Sequence, residues 1–239
     1  MVGFWLDARW SLGWPETASS LAPRVDSLFL WIAVVVGVWF LLCELTLIVL
    51  LWRARARSRQ RSLPIPPRGN EGWWIAALAA AVLACDLAIE AYGHSIWTGA
   101  VAGAPRGALP VRVEGRQFAW TVQHPGADEE LGTADDVELQ NELHVLVGKP
   151  VELRLRSVDV IHSFFLPSMR LKQDVVPGLE VRRWFLPTRE GTFPLVCAEL
   201  CGFAHFRMGG HIVVHDPAGY ERWLNSATQV QDSVGSADG

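Results

Sequence analysis

The chain has 239 residues, half of them apolar, with twelve Trp, four Cys and a formal net charge of −4. That length holds one ordinary domain plus extra elements, and its core is large enough to fold without covalent staples. The apolar residues concentrate in two runs near the N-terminus, so a uniformly soluble protein is excluded, and from about Thr98 onward the composition is that of a soluble domain.

Residues 1–27 form a polar and aromatic lead-in with no basic n-region and no cleavage motif, which is not the pattern of a usual signal peptide. Residues 28–52 are almost continuously apolar, interrupted mainly by Glu44, and are long enough for one membrane-spanning helix. A second run, 73–92, is rich in Ala and Leu and is also long enough. Between the runs stand six Arg, at 53, 55, 57, 59, 61 and 68, with no acid before Glu71. Short loops this basic stay on the cytoplasmic side, so both termini are expected on the outer side. A buried helical hairpin of a soluble protein would leave the Arg block unexplained. The anchor unit is therefore 28–97. Asp86, Glu90 and His94 recur at every fourth position and share one helix face. Asp86 lies deepest and calls for a membrane-buried partner subunit.

The soluble part, 98–227, reads as strands. Residues 111–123 alternate loosely; 141–148 and 150–158 alternate clearly; EVRRWFLPT, GTFPLVC and GGHIVVHD follow, bounded by Gly, Pro and Asp. Short strands at this spacing predict an all-β sandwich or barrel. AGYERWLNSA predicts a short terminal helix, and 228–239 a polar, disordered tail.

Chemistry concentrates in Cys197-x3-Cys201-x3-His205-x2-Met208. Two thiolates, an imidazole and a thioether suit copper; zinc has little use for the thioether. A single blue-copper site needs one Cys and two His, so two Cys call for another imidazole and a second copper. His162, in SVDVIHSFFLPSM at the end of an alternating stretch, supplies the imidazole. Alone, the two cysteines would also suit a disulfide in an oxidising compartment; with His162, His205 and Met208 in company they read as ligands. Cys43 and Cys85 lie in the apolar runs as small hydrophobes. His124, His144, His211 and His215 read as structural or solvated.

DVIHSFFLPSMRLKQDVVPG followed by CAELCGFAHFRM resembles subunit II of the haem–copper cytochrome c oxidases, with its dinuclear copper centre (CuA). The likeness extends over roughly residues 20–225. It implies a two-helix transmembrane hairpin followed by an all-β cupredoxin-like sandwich. His162, Cys197, Cys201, His205 and Met208 would then bind two copper ions by their side chains. Glu199 would offer its carbonyl to copper and its carboxylate to a magnesium ion shared with subunit I. The implied function is electron entry into a proton-pumping terminal oxidase: cytochrome c to copper, then to haem in subunit I, where oxygen becomes water. The implied location is the bacterial inner membrane, with the copper domain on the periplasmic side. Subunit I, other oxidase subunits, the lipid bilayer and cytochrome c, or a cytochrome-bearing donor complex, are the expected partners; no nucleic acid is expected.

The sequence departs from the family in two places. The Gln-Trp-Tyr-Trp patch that admits electrons reads Gln117-Phe118-Ala119-Trp120, so entry falls to Phe118 and Trp120. Leu179 stands where Arg usually follows Val-Pro-Gly. Glu71 matches a Glu that opens a proton channel, and equally suits a helix N-terminus. With no Cys-x-x-Cys-His, no c-type haem is fused to the chain and an outside donor is needed. Seven acids between Asp128 and Glu142, with no basic residue among them, are either a donor-docking patch, a cation loop or a solvated loop. Among rivals, a quinol oxidase subunit would lack the ligands, and a nitrous oxide reductase would need a large second copper domain. An anchored copper chaperone or sensor would hold one freely exchanging copper.

Overall fold

The computed structural model describes residues 15–57 and 72–235. Residues 25–97 form one unit; residue 98 onward, together with the segment before residue 25, forms the other.

The first unit is built from α1 (Ala22–Arg57) and α2 (Gly72–Val101). Both are long and apolar enough to cross a membrane, and their apolar windows are not buried within the chain. Each exceeds its hydrophobic run by several residues. Ser27 Oγ and Tyr92 OH lie 2.7 Å apart, pinning the two helices together at one level. A cavity of about 380 Å³ opens beside them, lined by Ser27, Trp31, Ala88 and Tyr92. Asp86 and Glu90 are exposed on the surface of this unit. Glu71 and four of the six Arg side chains (57, 59, 61 and 68) lie outside the residues whose side chains are described.

The second unit is a sandwich of two five-stranded sheets. One has the order β3 (Val137–Gln140), β2 (Ala119–His124), β1 (Leu109–Arg116), β5 (Val151–Ser157), β8 (Glu180–Phe185). The other has the order β4 (Glu142–Leu146), β10 (Gly209–His215), β9 (Gly191–Cys197), β6 (His162–Leu166), β7 (Leu171–Val175). The β1–β5 and β4–β10 pairs are parallel, and the others are antiparallel. Alternation puts Val111 and Val113, Leu153 and Leu155, Leu195 and Cys197, and Ile212 and Val214 inward. Trp120, Phe164 and Phe185 are the largest buried side chains, each worth about 2–3 kcal/mol by area.

Three sequence expectations change. The run 111–123 is two strands rather than one, because the chain reverses at Gln117 and Phe118 and pairs Arg116 with Ala119. His162 does not end a strand; it opens β6 after the bend 158–161. The terminal helix α3 (Pro217–Gly235) continues past Thr228 into the stretch expected to be disordered.

The segment before α1 belongs to the sandwich. Ala18 N donates to Ser168 O at 2.8 Å, Ser20 N to Leu186 O at 3.0 Å and Thr188 N to Ala18 O at 2.9 Å. Ser19 Oγ donates to Met169 O at 2.8 Å and accepts from Ala22 N at 3.2 Å, joining the sandwich to the first turn of α1. Arg189 pairs with Glu16 at 2.5 Å.

Candidate metal centre

The site lies at one end of the second sheet, where β6 and β9 run side by side with Phe164 opposite Cys197. Cys197 closes β9, and the connection to β10 carries Cys201, His205 and Met208. Its base is tied by Cys197 N to Met208 O at 3.0 Å and by Ala198 N to Ser163 O at 2.9 Å. A 3₁₀ turn, His205–Arg207, returns the chain to Met208. That turn places the imidazole and the thioether on the same side of the loop as the thiols.

The donors converge. Cys197 Sγ and Cys201 Sγ are 3.9 Å apart; Cys201 Sγ is 3.7 Å from both His205 Nδ1 and Met208 Sδ. Cys197 Sγ lies 3.3 Å from the Glu199 carbonyl oxygen, while the Glu199 side chain is exposed. Among the described residues, His162, Cys197 and Cys201 are the one group of potential ligands within 4.8 Å of one another, and all three are buried. Both thiols are free. Burial, and then the neighbouring Cys197, push the Cys201 thiol up to about 11.

His162 is fully buried, and its two nitrogens have different surroundings. Nε2 lies 2.8 Å from Asp159 Oδ1, while Nδ1 has no hydrogen-bond partner. An orphaned buried imidazole nitrogen beside two thiols is a poor structural device and a good metal ligand. The donor set, two sulfurs with an imidazole ready to ligate and a thioether alongside, therefore suits a soft metal such as copper. Burial raises the Asp159 carboxyl, yet hydrogen bonds from Gln117 N, His162 and Val160 N outweigh it and hold the group below its ordinary value. Gly115 lies beneath the His162 ring: a Cβ there would come within 2.9 Å of Trp120 and 3.1 Å of His162.

Of the two aromatic residues expected to admit electrons, Trp120 is core, edge-on to His162 at 5.9 Å and to Phe164 at 5.3 Å. Phe118 is half-buried, with the Phe203 ring edge-on to it at 5.3 Å. Phe203 is 91% exposed. Leu179 is exposed and follows Gly178, whose φ is +83°. In the acidic stretch, Asp136 Oδ2 accepts from Gln123 Nε2 and Gly132 N, both at 2.7 Å, and Asp135 Oδ1 from Thr133 Oγ1 at 2.7 Å. These carboxylates are satisfied by the loop itself and by Gln123 of β2.

Sequence reasoning missed Asp159 and named Gln117 only as the first residue of the aromatic patch. A carboxylate three residues before a candidate ligand histidine was the available signal for Asp159. The contact of Gln117 with Cys201 arises only through tertiary structure.

A two-span anchor carrying a cupredoxin-like sandwich with a buried His/Cys/Cys cluster defines a membrane-anchored metalloprotein. Residues 109–216 match the family model described as cytochrome c oxidase subunit II, periplasmic domain. The alternative cytochrome c oxidase subunit 2 of Bradyrhizobium diazoefficiens is 37% identical over 174 residues, 64% of this chain and 61% of that protein. Cytochrome c oxidase subunit 2 of Thermostichus vulcanus is 32% identical over 274 residues, 93% of this chain and 80% of that protein. A solved structure, the periplasmic domain of subunit II of cytochrome oxidase of Bradyrhizobium japonicum, is 27% identical with a TM-score of 0.47. That match covers 52% of this chain and 96% of the other. The chain belongs to the cytochrome c oxidase subunit II family.

Proposed function

We propose that this chain is the electron-entry subunit of a proton-pumping terminal oxidase. It receives electrons from cytochrome c, or from a cytochrome-bearing complex, and passes them to haem in subunit I, where oxygen is reduced. The observation that carries this reading is the gathering of His205 and Met208 around Cys201, which with Cys197 clusters beside the buried His162, whose Nδ1 has no hydrogen-bond partner.

These five side chains and the Glu199 carbonyl would hold two copper ions, and the exposed Glu199 carboxylate is free to reach a magnesium ion shared with subunit I. When bound, the copper pair would supply one-electron transfer with little rearrangement of its ligands. The chain's own residues supply the rest. Burial of Cys197, Cys201 and His162 keeps water from the donors, and the ties at both ends of the ligand loop fix their spacing. Electrons would enter at Phe118, the surface member of the aromatic pair, with Trp120 packed behind it against His162.

Placement of the sandwich and both termini on the periplasmic side of a bacterial inner membrane has two supports. The Arg-rich segment lies between the spans. Residues 15–20, which precede the first span, are bonded to the sandwich that follows the second. Glu71 at the opposite end would open a proton channel, and subunit I would cover the carboxylates of Asp86 and Glu90.

The test is electron paramagnetic resonance with metal analysis on the full-length chain purified in detergent and loaded with copper. Two coppers per chain and a multi-line, delocalised spectrum are expected. One copper with an ordinary four-line pattern would refute the reading and favour an anchored chaperone.

A further inference from the structure

The ligands hang from two separate connections, His162 after β5 and Cys201 after β9, and a third connection, from the other sheet, ties them together. At the β1–β2 reversal, Gln117 Nε2 donates to the Cys201 carbonyl at 2.5 Å, and Gln117 N donates to Asp159 Oδ2 at 2.7 Å. Asp159 Oδ1 in turn meets His162 Nε2 at 2.8 Å and accepts from Val160 N at 2.6 Å. An unbroken path of three hydrogen bonds therefore runs from the Cys201 backbone to the His162 ring, across both sheets.

The surrounding residues make room for this clasp. Gly202 has φ +142°, and a Cβ there would lie 2.8 Å from Gln117 Nε2 and 3.0 Å from the Phe118 ring. Ser157 Oγ donates to Val160 O at 2.5 Å and closes the bend that aims the Asp159 carboxylate. With Nε2 turned to Asp159, the imidazole has Nδ1 left for a metal.

We propose that Gln117 and Asp159 are positioning residues: Gln117 fixes the Cys201 loop relative to His162, and Asp159 sets the orientation and donor strength of the His162 ring. This rests on the copper-centre reading above. An anionic acceptor on the far nitrogen makes an imidazole a stronger donor, which favours the oxidised metal and lowers the potential. Neutralising that acceptor weakens donation and raises the potential. Gln117→Glu keeps the side-chain length but removes the N–H that holds the Cys201 carbonyl, so the loop opens more readily.

The experiment compares wild type, Gln117→Glu, Asp159→Asn and Asp159→Glu in the intact purified oxidase. It measures copper content, the paramagnetic spectrum, the midpoint potential of the centre and the rate of copper loss to a chelator. Asp159→Asn is expected to raise the midpoint potential, and Asp159→Glu to bring it back toward wild type. Gln117→Glu is expected to lose copper about 10–100-fold faster. Wild-type retention in Gln117→Glu, or a wild-type potential in Asp159→Asn, overturns the assignment. A wild-type oxidase without a copper pair would instead sink the reading on which it rests.

Discussion

The rings of His144 and Trp223 stack 4.3 Å apart and within 4° of parallel, fastening α3 to the outer face of the second sheet. His144 Nδ1 lies 2.8 Å from His215 Nε2, its Nε2 lies 3.3 Å from Glu142, and its backbone N donates to His124 Nε2 at 2.9 Å. This arrangement requires neutral rings: His124 Nε2 must accept, and the short His144–His215 contact has room for one proton. Burial, and then the neighbouring His144, lower His124 to about 3. Burial also lowers His144 and His215, although Glu142 and Asp216 oppose the shift.

A histidine whose folded value lies below its unfolded value near 6.5 stabilises the fold above that pH. The contribution is lost as pH falls from about 6.5 toward the folded value. For His124 alone the loss at pH 5 is about 2 kcal/mol. The melting temperature is therefore expected to drop between pH 7.5 and pH 5, with hydrogen exchange in 217–229 rising in step. Equal melting temperatures at the two pH values would contradict this account of the cluster.

Gly115→Ala should disturb the site from below. The added methyl meets Trp120 and His162 at 2.9 and 3.1 Å, and both are fully buried with nowhere to retreat. Overpacking of this kind costs about 1–3 kcal/mol. A denaturant melt should register that loss, and copper affinity should fall with it because His162 is displaced.

Cys201→Ser is expected to abolish the two-copper spectrum while the chain still inserts in the membrane. Cys201 lies within 4 Å of Cys197, His205 and Met208, so its sulfur stands at the centre of the donor set. A retained near-infrared band in the variant would remove Cys201 from the ligands.

Ser19→Ala should destabilise the sandwich by about 1 kcal/mol, since it removes the buried bond to Met169 O. Thermal unfolding of the full chain tests this. A larger loss is expected when residues before the first span are deleted and the sandwich is expressed alone, because the backbone bonds of Ala18 and Ser20 go as well.

The spans were legible because hydrophobic length is a property of the local sequence, and the sandwich because its inward residues alternate. The ligand loop was legible because four donors share twelve residues. The reversal at Gln117 was hidden: Gly115-Arg116-Gln117-Phe118-Ala119 contains no Pro, Asn or Asp, and the alternation appears to run through it. β7 was missed because LKQDV is a half-polar edge strand, and β3 because VELQ lies inside an acidic run. The His124, His144 and His215 contacts were also invisible, since the three residues meet only through strand pairing and α3.

Ser19 and Met169 are 150 residues apart in sequence. At a synthesis rate of roughly 5–20 residues per second, the segment carrying Ser19 waits on the order of ten seconds for its binding surface to exist. During that interval α1 and α2 are made, so the segment 15–20 stays unpaired until the sandwich arrives. Folding of this subunit thus returns to a segment made before α1, and a delay in completing the sandwich would leave that segment without its mate.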